Sequence, residues 1–203
     1  MTTQLRAGYD LELKNDLHRY LRVGREALVW KLEGLSEYDR RRPLVGTGTN
    51  LLGLVKHLIG CEAGYFGATF GRPFPEAVPW FDYAAEANSD MWATPDESSA
   101  DLIAMYERTW VHGDATIESL PLDALGRVPW WSPEHAEASL GRILIHMATE
   151  THRHAGHADI VRELIDGSAG LRRTDDNLWQ PRDMTWAEHH ARVQEAANHF
   201  VEG

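Results

Sequence analysis

The stretch ETHRHAGHAD, Glu150 to Asp159, constrains this chain more than any other part of it. It sets two carboxylates, Glu150 and Asp159, and three imidazoles inside a segment, Ala138 to Gly167, whose apolar residues otherwise recur with a helical period. With His146 at zero and an advance of ~100° per residue, Glu150 falls near ~40°, His154 near ~80° and His157 near ~20°. On the same wheel Leu140, Ile143, Met147, Val161 and Ile165 fall between ~60° and ~120°. His154 therefore lies within the apolar stripe that must face a core, and Glu150 borders it. His152, near ~240° on that wheel, is expected to face solvent. An ionised carboxylate turned inward needs a positive partner, because burial without one is costly or forces it to take up a proton. An arginine can supply that charge. A metal ion can do so as well, and two ligands one helical turn apart converge on a single ion.

The rest of the chain supports an all-α class. Helical spacing runs from about Asp10 to Leu35, with Leu11, Leu17, Leu21, Ala27, Leu28 and Leu32 on one face. Pro43, Gly46 and Gly48 break it, after which Thr49 or Asn50 can cap a second helix with Leu51, Leu54, Leu58, Cys61 and Tyr65 inward. A third helix is expected from about Glu97 to Leu120, a fourth from Ala138 to Asp166 stopped by Gly167, and a last from about Thr185 to Val201. No segment alternates as a strand would. The expected fold is a four-helix bundle with a long crossover connection, RPFPEAVPWFDYAAEANSDMWATPDE, and an additional C-terminal helix. We expect residues 1–203 to form a single domain, with its core at about 10–167 and a C-terminal extension at 168–203. A connection of that length in a compact domain usually covers something or carries function.

Charge and cysteine usage exclude several function classes. The net charge is −11 and the basic residues are scattered, so a phosphate backbone is repelled and nucleic acid is not expected as a partner. A single cysteine, Cys61, excludes an internal disulfide, and MTTQLRAGYD lacks the charged and apolar regions of a signal peptide. A cytoplasmic location is the expectation. No apolar run approaches the roughly 18 residues of a membrane helix.

A metal site would need a further ligand from a second helix. In LLGLVKHLIGCEAGYF, His57 lies beside the stripe of Leu54, Leu58 and Cys61 and can reach the core. Cys61, one turn beyond it, is either a ligand or a small buried hydrophobe. His57, taken alone, also fits a hydrogen-bonded core histidine, while His146 and His157 fit residues that steady a ligand or the helix end. Three ligands from two helices with no fourth clearly offered describe an open site, and an open position is what catalysis requires. A di-metal bundle would need Glu-x-x-His on two helices, whereas here the spacing is Glu-x-x-x-His and occurs once.

The histidine-bearing LLGLVKHLIGCEAGYF, the long connection, and LGRILIHMATETHRHAGHADIVRELIDG together resemble the DinB/YfiT-like superfamily of four-helix metal proteins. The resemblance is closest to its actinobacterial mycothiol-dependent branch, of maleylpyruvate isomerase-like proteins and S-transferases, and covers roughly residues 10–167. It implies three metal ligands: His57 in the second helix, with Glu150 and His154 in the fourth. Glutamate at the first position of that pair, where histidine is frequent, lowers the charge of the centre by one. His157 stands where many relatives carry glutamine. The resemblance further implies a divalent metal, zinc above all, whose open position accepts a small thiol such as mycothiol and leaves it ionised. The expected function is a metal-dependent transferase or isomerase in which that thiolate attacks a small electrophile such as an epoxide, a halide or an activated alkene. A metal-dependent hydrolase and a non-catalytic metal-binding stress protein are the alternatives. Trp80, Phe81, Trp92, Trp130 and Trp131 are candidates for the pocket wall or for loop packing, and Arg142, Arg153 and Arg162 for substrate carboxylates or a solvated face. The expected partners are a small thiol and an electrophile, with neither nucleic acid nor membrane. Pairing among relatives points to a homodimer.

Overall fold

The computed structural model describes residues 3–201 apart from 83, 180 and 181. It divides into two compact units, Met1–Ala169 and Gly170–Gly203. The first holds α1 (Thr3–Val29), the short α2 (Glu37–Arg41), α3 (Leu51–Glu62), α4 (Ser99–Ser119) and α5 (Leu140–Asp166). The second holds α6 (Trp186–Asn198), opened by a capping box in which the Thr185 hydroxyl accepts the Glu188 N–H. Every side chain along α6 is exposed. No helix among the described residues is long and apolar enough to cross a membrane.

Local chemistry sets the helix ends. The Asn50 side chain accepts the Gly53 N–H at 2.8 Å and opens α3. Ser98 and Ser139 do the same for α4 and α5. Gly167, at φ 78°, closes α5 in the left-handed conformation that a side chain would oppose. The core is formed by Leu21, Leu28, Leu54, Leu58, Phe66, Tyr106, Ile117, Leu144 and Met147, all buried. Leu11, expected on this stripe, is 58% exposed, and α1 starts at Thr3, seven residues earlier than the apolar period suggests.

Pairwise contacts fix the directions of the four long helices. His152 on α5 reaches Tyr20 on α1, and further along Asp159 on α5 reaches Lys31 in the turn that follows α1, so α1 and α5 run parallel. Lys56 on α3 meets Glu97 just before α4, and further along Glu62 lies by Gly113 on α4, so α3 and α4 are parallel too. His57 lies by His154 while Tyr65 lies by His146, so α3 and α5 are antiparallel. Two consecutive parallel helices cannot be joined by a short turn, which is the physical reason for the long connection from Gly71 to Ser98.

Two elements depart from the sequence reading. A small antiparallel ribbon pairs β1 (Leu125–Arg127) with β2 (Glu137–Ser139), so Ala138 belongs to a strand and the fourth long helix starts at Leu140. Strands of three residues carry too few side chains for alternation to register. His152 is half-buried rather than turned fully to solvent: its Nε2 lies 2.9 Å from the Tyr20 carbonyl and its ring sits 3.1 Å from where a Cβ would stand at Gly24. Helix α5 is packed by α1 on one flank and α3 on the other, so its covered arc is wider than its apolar stripe.

An ion network ties α1, α3 and α4. Arg25 is 0% exposed and donates Nε and Nη2 to the two oxygens of Glu62, each at 2.6 Å, and Nη1 to Asp114, also at 2.6 Å. His18 Nε2 adds a 2.8 Å contact to the same Asp114 oxygen. Burial works against the guanidinium charge, but Glu62 and Asp114 outweigh it and hold its proton more tightly than usual.

Candidate metal centre

Helices α3 and α5 bring His57, Glu150 and His154 together. One ligand atom of each lies within 4.8 Å of the others, a set that can hold a metal ion. His154 Nε2 lies 2.9 Å from Glu150 Oε1, and His57 Nε2 lies 3.4 Å from that same oxygen. The latter separation is what two ligands at about 2.05 Å from a tetrahedral ion would show, roughly 3.3 Å. His154 is 8% exposed, Glu150 and His57 are half-buried, and the two imidazole rings meet edge to face at 4.9 Å.

Electrostatics favour the ligating forms. Burial and the neighbouring His57 push the His154 imidazolium down, against the pull of Glu150, so the ring stays neutral. Burial would raise the Glu150 carboxyl, but hydrogen bonds and charge from His154 and His57 outweigh it and hold it below the usual carboxylate range. Neutral imidazole and ionised carboxylate are the states that bind a divalent cation.

Asp90, from the crossover connection, fixes the orientation of His57. The His57 Nδ1–H donates to Asp90 Oδ2 at 2.6 Å, which leaves the Nε2 lone pair aimed at Glu150 and His154. Sequence reasoning missed Asp90, since nothing in ANSDMW distinguishes it from other loop acids. Its position depends on a close approach: a Cβ at Gly53 would stand 1.8 Å from the Met91 carbonyl oxygen. Gly53→Ala is therefore expected to push the connection off α3 and to cost about 1–3 kcal/mol, the usual range for overpacking. Chemical denaturation of the variant beside the parent measures this, and equal midpoints would show that the connection does not depend on that contact.

The other candidates sort by position. His157 is exposed, with its Nδ1 3.4 Å from His154 Nδ1. Cys61 lies outside the three-residue cluster, though its Sγ is 3.3 Å from His57 Nε2, and burial pushes its thiol well above the usual range. It fits the small buried hydrophobe better than a reactive thiolate. His146, one turn before Glu150, joins Tyr65, Trp130 and Trp131 in an aromatic group, and burial lowers its basicity. Phe81 packs on Trp130, while Trp80 donates its indole N–H to the Lys56 carbonyl and Trp92 is half-exposed. Arg153 is exposed, and Arg142 stacks over Trp131. Arg162 is neither a solvated arginine nor free for substrate: it is buried and holds Asp166 and the carbonyls of Lys31 and Glu33. It sits where the first turn after α1 leaves its carbonyls without helical partners.

Two hollows reach neighbours of the cluster, His157 and Met91, and neither is lined by His57, Glu150 or His154. One of about 350 Å³ is lined by Val45, Thr47, Thr49, His157, Ile160 and Val161. Another, of about 730 Å³, shares Thr47 and Thr49 and continues to Asn50, Asn88, Met91 and Trp92.

Comparison with curated protein sequences and with solved structures returned no match. The sequence profile described as Mycothiol-S-transferase matches residues 16–167, which run from the first long helix through the last and include the whole of the His57, Glu150 and His154 cluster. That match takes in about three quarters of the 203 residues, and the chain belongs to the mycothiol-S-transferase family.

Proposed function

We propose that the protein is a metal-dependent S-transferase that joins the sulfur of mycothiol to small electrophiles, with His57, Glu150 and His154 as the metal ligands. The convergence of just three ligand atoms from two helices carries this reading, since it leaves room in the coordination sphere for a substrate. Two nitrogens and one carboxylate oxygen suit zinc or a similar ion. When bound, the ion supplies a Lewis-acid position at which a thiol is ionised at neutral pH.

The chain does the rest. Two neutral imidazoles and one carboxylate leave a divalent centre with a charge of about +1, enough to attract an anionic sulfur while leaving it electron-rich. Asp90 fixes the His57 ring, and His157 contacts the far nitrogen of His154. Two hollows that share Thr47 and Thr49, one reaching His157 and the other Asn50, Asn88 and Trp92, offer hydroxyl and amide partners together with an aromatic face. Such a lining suits the sugar and inositol body of mycothiol.

Turnover of a fluorogenic alkyl chloride by the metal-loaded protein tests this. Conjugation is expected to require added mycothiol and to disappear with a chelator. Product formation from esters or amides without any thiol would instead support a metal-activated water.

A further inference from the structure

Building on that transferase reading, we propose that Tyr65 is a catalytic acid that gives its hydroxyl proton to the oxygen of electrophiles whose C–O bond the sulfur opens, epoxides above all. One hollow proposed above for mycothiol reaches His157, on one side of the cluster, and Tyr65 lies on the other. Along α5 the order is His146, Glu150, His154, His157, and the Tyr65 ring is 4.6 Å from His146. One turn from His146 to Glu150 is a rise of about 6 Å, so a small electrophile held beside the ligands reaches the aromatic group.

The backbone around Tyr65 is specialised. Helix α3 passes at Ala63–Gly67 into a π turn that carries Tyr65 inward. Such single turns recur at functional sites because they re-aim the side chains that follow. Gly64 beside it admits Trp130, whose ring would lie 2.5 Å from a Cβ there, and Gly60 likewise admits Phe81 at 2.2 Å.

Hydrogen-bond bookkeeping then fixes what the hydroxyl can do. Trp130 Nε1–H and Trp131 Nε1–H both donate to the Tyr65 oxygen, at 3.3 and 3.2 Å. A phenol oxygen has two lone pairs and one hydrogen. With both lone pairs engaged, the O–H is left only the role of donor, and no acceptor for it is present among the described residues. Its acceptor is then the substrate. The same two N–H groups face the oxygen when it is transiently negative and stabilise it there without rearrangement.

The step balances. The sulfur–carbon bond forms as the carbon–oxygen bond breaks, and the electron pair stays on oxygen. The Tyr65 proton passes to that oxygen and yields the alcohol. The phenolate recovers from solvent a proton equivalent to the one the thiol released on ionising. A chloride leaving group needs no proton and so makes no such demand.

The experiment compares Tyr65→Phe with the parent, each loaded with metal and supplied with mycothiol, on styrene oxide and on monochlorobimane. Epoxide turnover is expected to fall about 100-fold, within the range for general acids, and the ratio of epoxide to chloride rates to drop at least tenfold. Binding of the hydroxy-thioether product, read by tryptophan fluorescence, is expected to weaken about three- to tenfold, as loss of one neutral hydrogen bond implies. Equal slowing on both electrophiles, or none on either, would overturn the assignment. Should Tyr65→Phe lose its metal or fold, the double variant Trp130→Phe, Trp131→Phe keeps the phenol and removes both indole donors, and it must shift the same ratio or the proposal falls. A parent that conjugates neither electrophile rejects the transferase reading itself, whereas a parent that conjugates both with an unmoved ratio rejects Tyr65 alone.

Discussion

His57→Ala, Glu150→Gln and His154→Ala are each expected to drop bound metal from about one ion per chain to less than a tenth of that, and to cut mycothiol conjugation by about 10³-fold or more. The size follows from the chemistry. Lewis-acid stabilisation of a developing or resident anion is worth several kcal/mol, and each 1.4 kcal/mol or so is a factor of ten in rate. Glu150→Gln is the most informative of the three, because it keeps the shape of the side chain and removes only the charge. Asp90→Asn is a graded companion: it leaves all three proposed ligands in place but weakens the partner of the His57 Nδ1–H, whose 2.6 Å contact sets the ring orientation. A loss of about 10- to 100-fold in metal affinity is expected there. Elemental analysis of the purified variants, with zinc titration under a competing chelator, measures both effects. Full metal content in the three ligand variants would place the ion elsewhere and reduce Glu150 to a hydrogen-bond acceptor for two histidines.

The site was legible in the sequence where it depends on helical periodicity. The wheel that set His154 among the apolar residues and Glu150 at their margin corresponds to a buried imidazole and a half-buried carboxylate in the structure. Helix ends were legible for a similar reason, since Asn50 and Gly167 act through chemistry confined to one turn. Positions set by packing between helices were not. His152 looked outward on a wheel that knows nothing of a second flank, yet α1 lies along it and Gly24 makes room for the imidazole. Asp90 reaches His57 through a connection whose path depends on Gly53, and no local pattern encodes that contact. The ribbon of β1 and β2 is too short to leave a period, and the π turn at Ala63–Gly67 changes backbone spacing without changing residue type.

The sequence reading weighed arginine or a metal as the partner of an inward Glu150 and did not single out Glu62, which stands immediately after Cys61 on α3 and is partnered by Arg25. The two roles separate cleanly: Glu62 is fully buried against a guanidinium fork, while Glu150 has the imidazoles of His57 and His154 beside it and some access to solvent. A bundle whose crossover makes α3 and α4 parallel has no short connection to hold their register, and this network touches α1, α3 and α4 together. It is suited to specifying which arrangement of helices forms, a role attested for some buried polar groups.

Arg25→Met is accordingly expected to destabilise the fold by about 3–5 kcal/mol, the range for breaking a buried pair from one side. Glu62 would be left 0% exposed without its guanidinium, and burial, which already raises its carboxyl against the pull of Arg25, makes it either hold a costly charge or take up a proton. At roughly 2–4 °C per kcal/mol for a chain of this size, the melting temperature should fall by about 6–20 °C. The double variant Arg25→Met, Glu62→Leu decides the mechanism. If the loss comes from the orphaned carboxylate and not from lost attraction, removing it should recover most of the stability, because a buried pair against apolar groups of similar volume is often neutral. Asp114 keeps its contact with His18 in that background and has some access to solvent, so it adds little to the deficit. Acid should act on the parent through this same residue. Burial raises the Asp114 carboxyl, but His18 and Arg25 outweigh it and hold it below its ordinary value. Its contribution is therefore complete above the unfolded aspartate range and is lost as pH falls through the depressed folded value. Denaturation midpoints measured from neutral pH down to about pH 3 should lose this part of their slope in Asp114→Asn, and an unchanged slope would mean that another carboxylate carries the acid sensitivity.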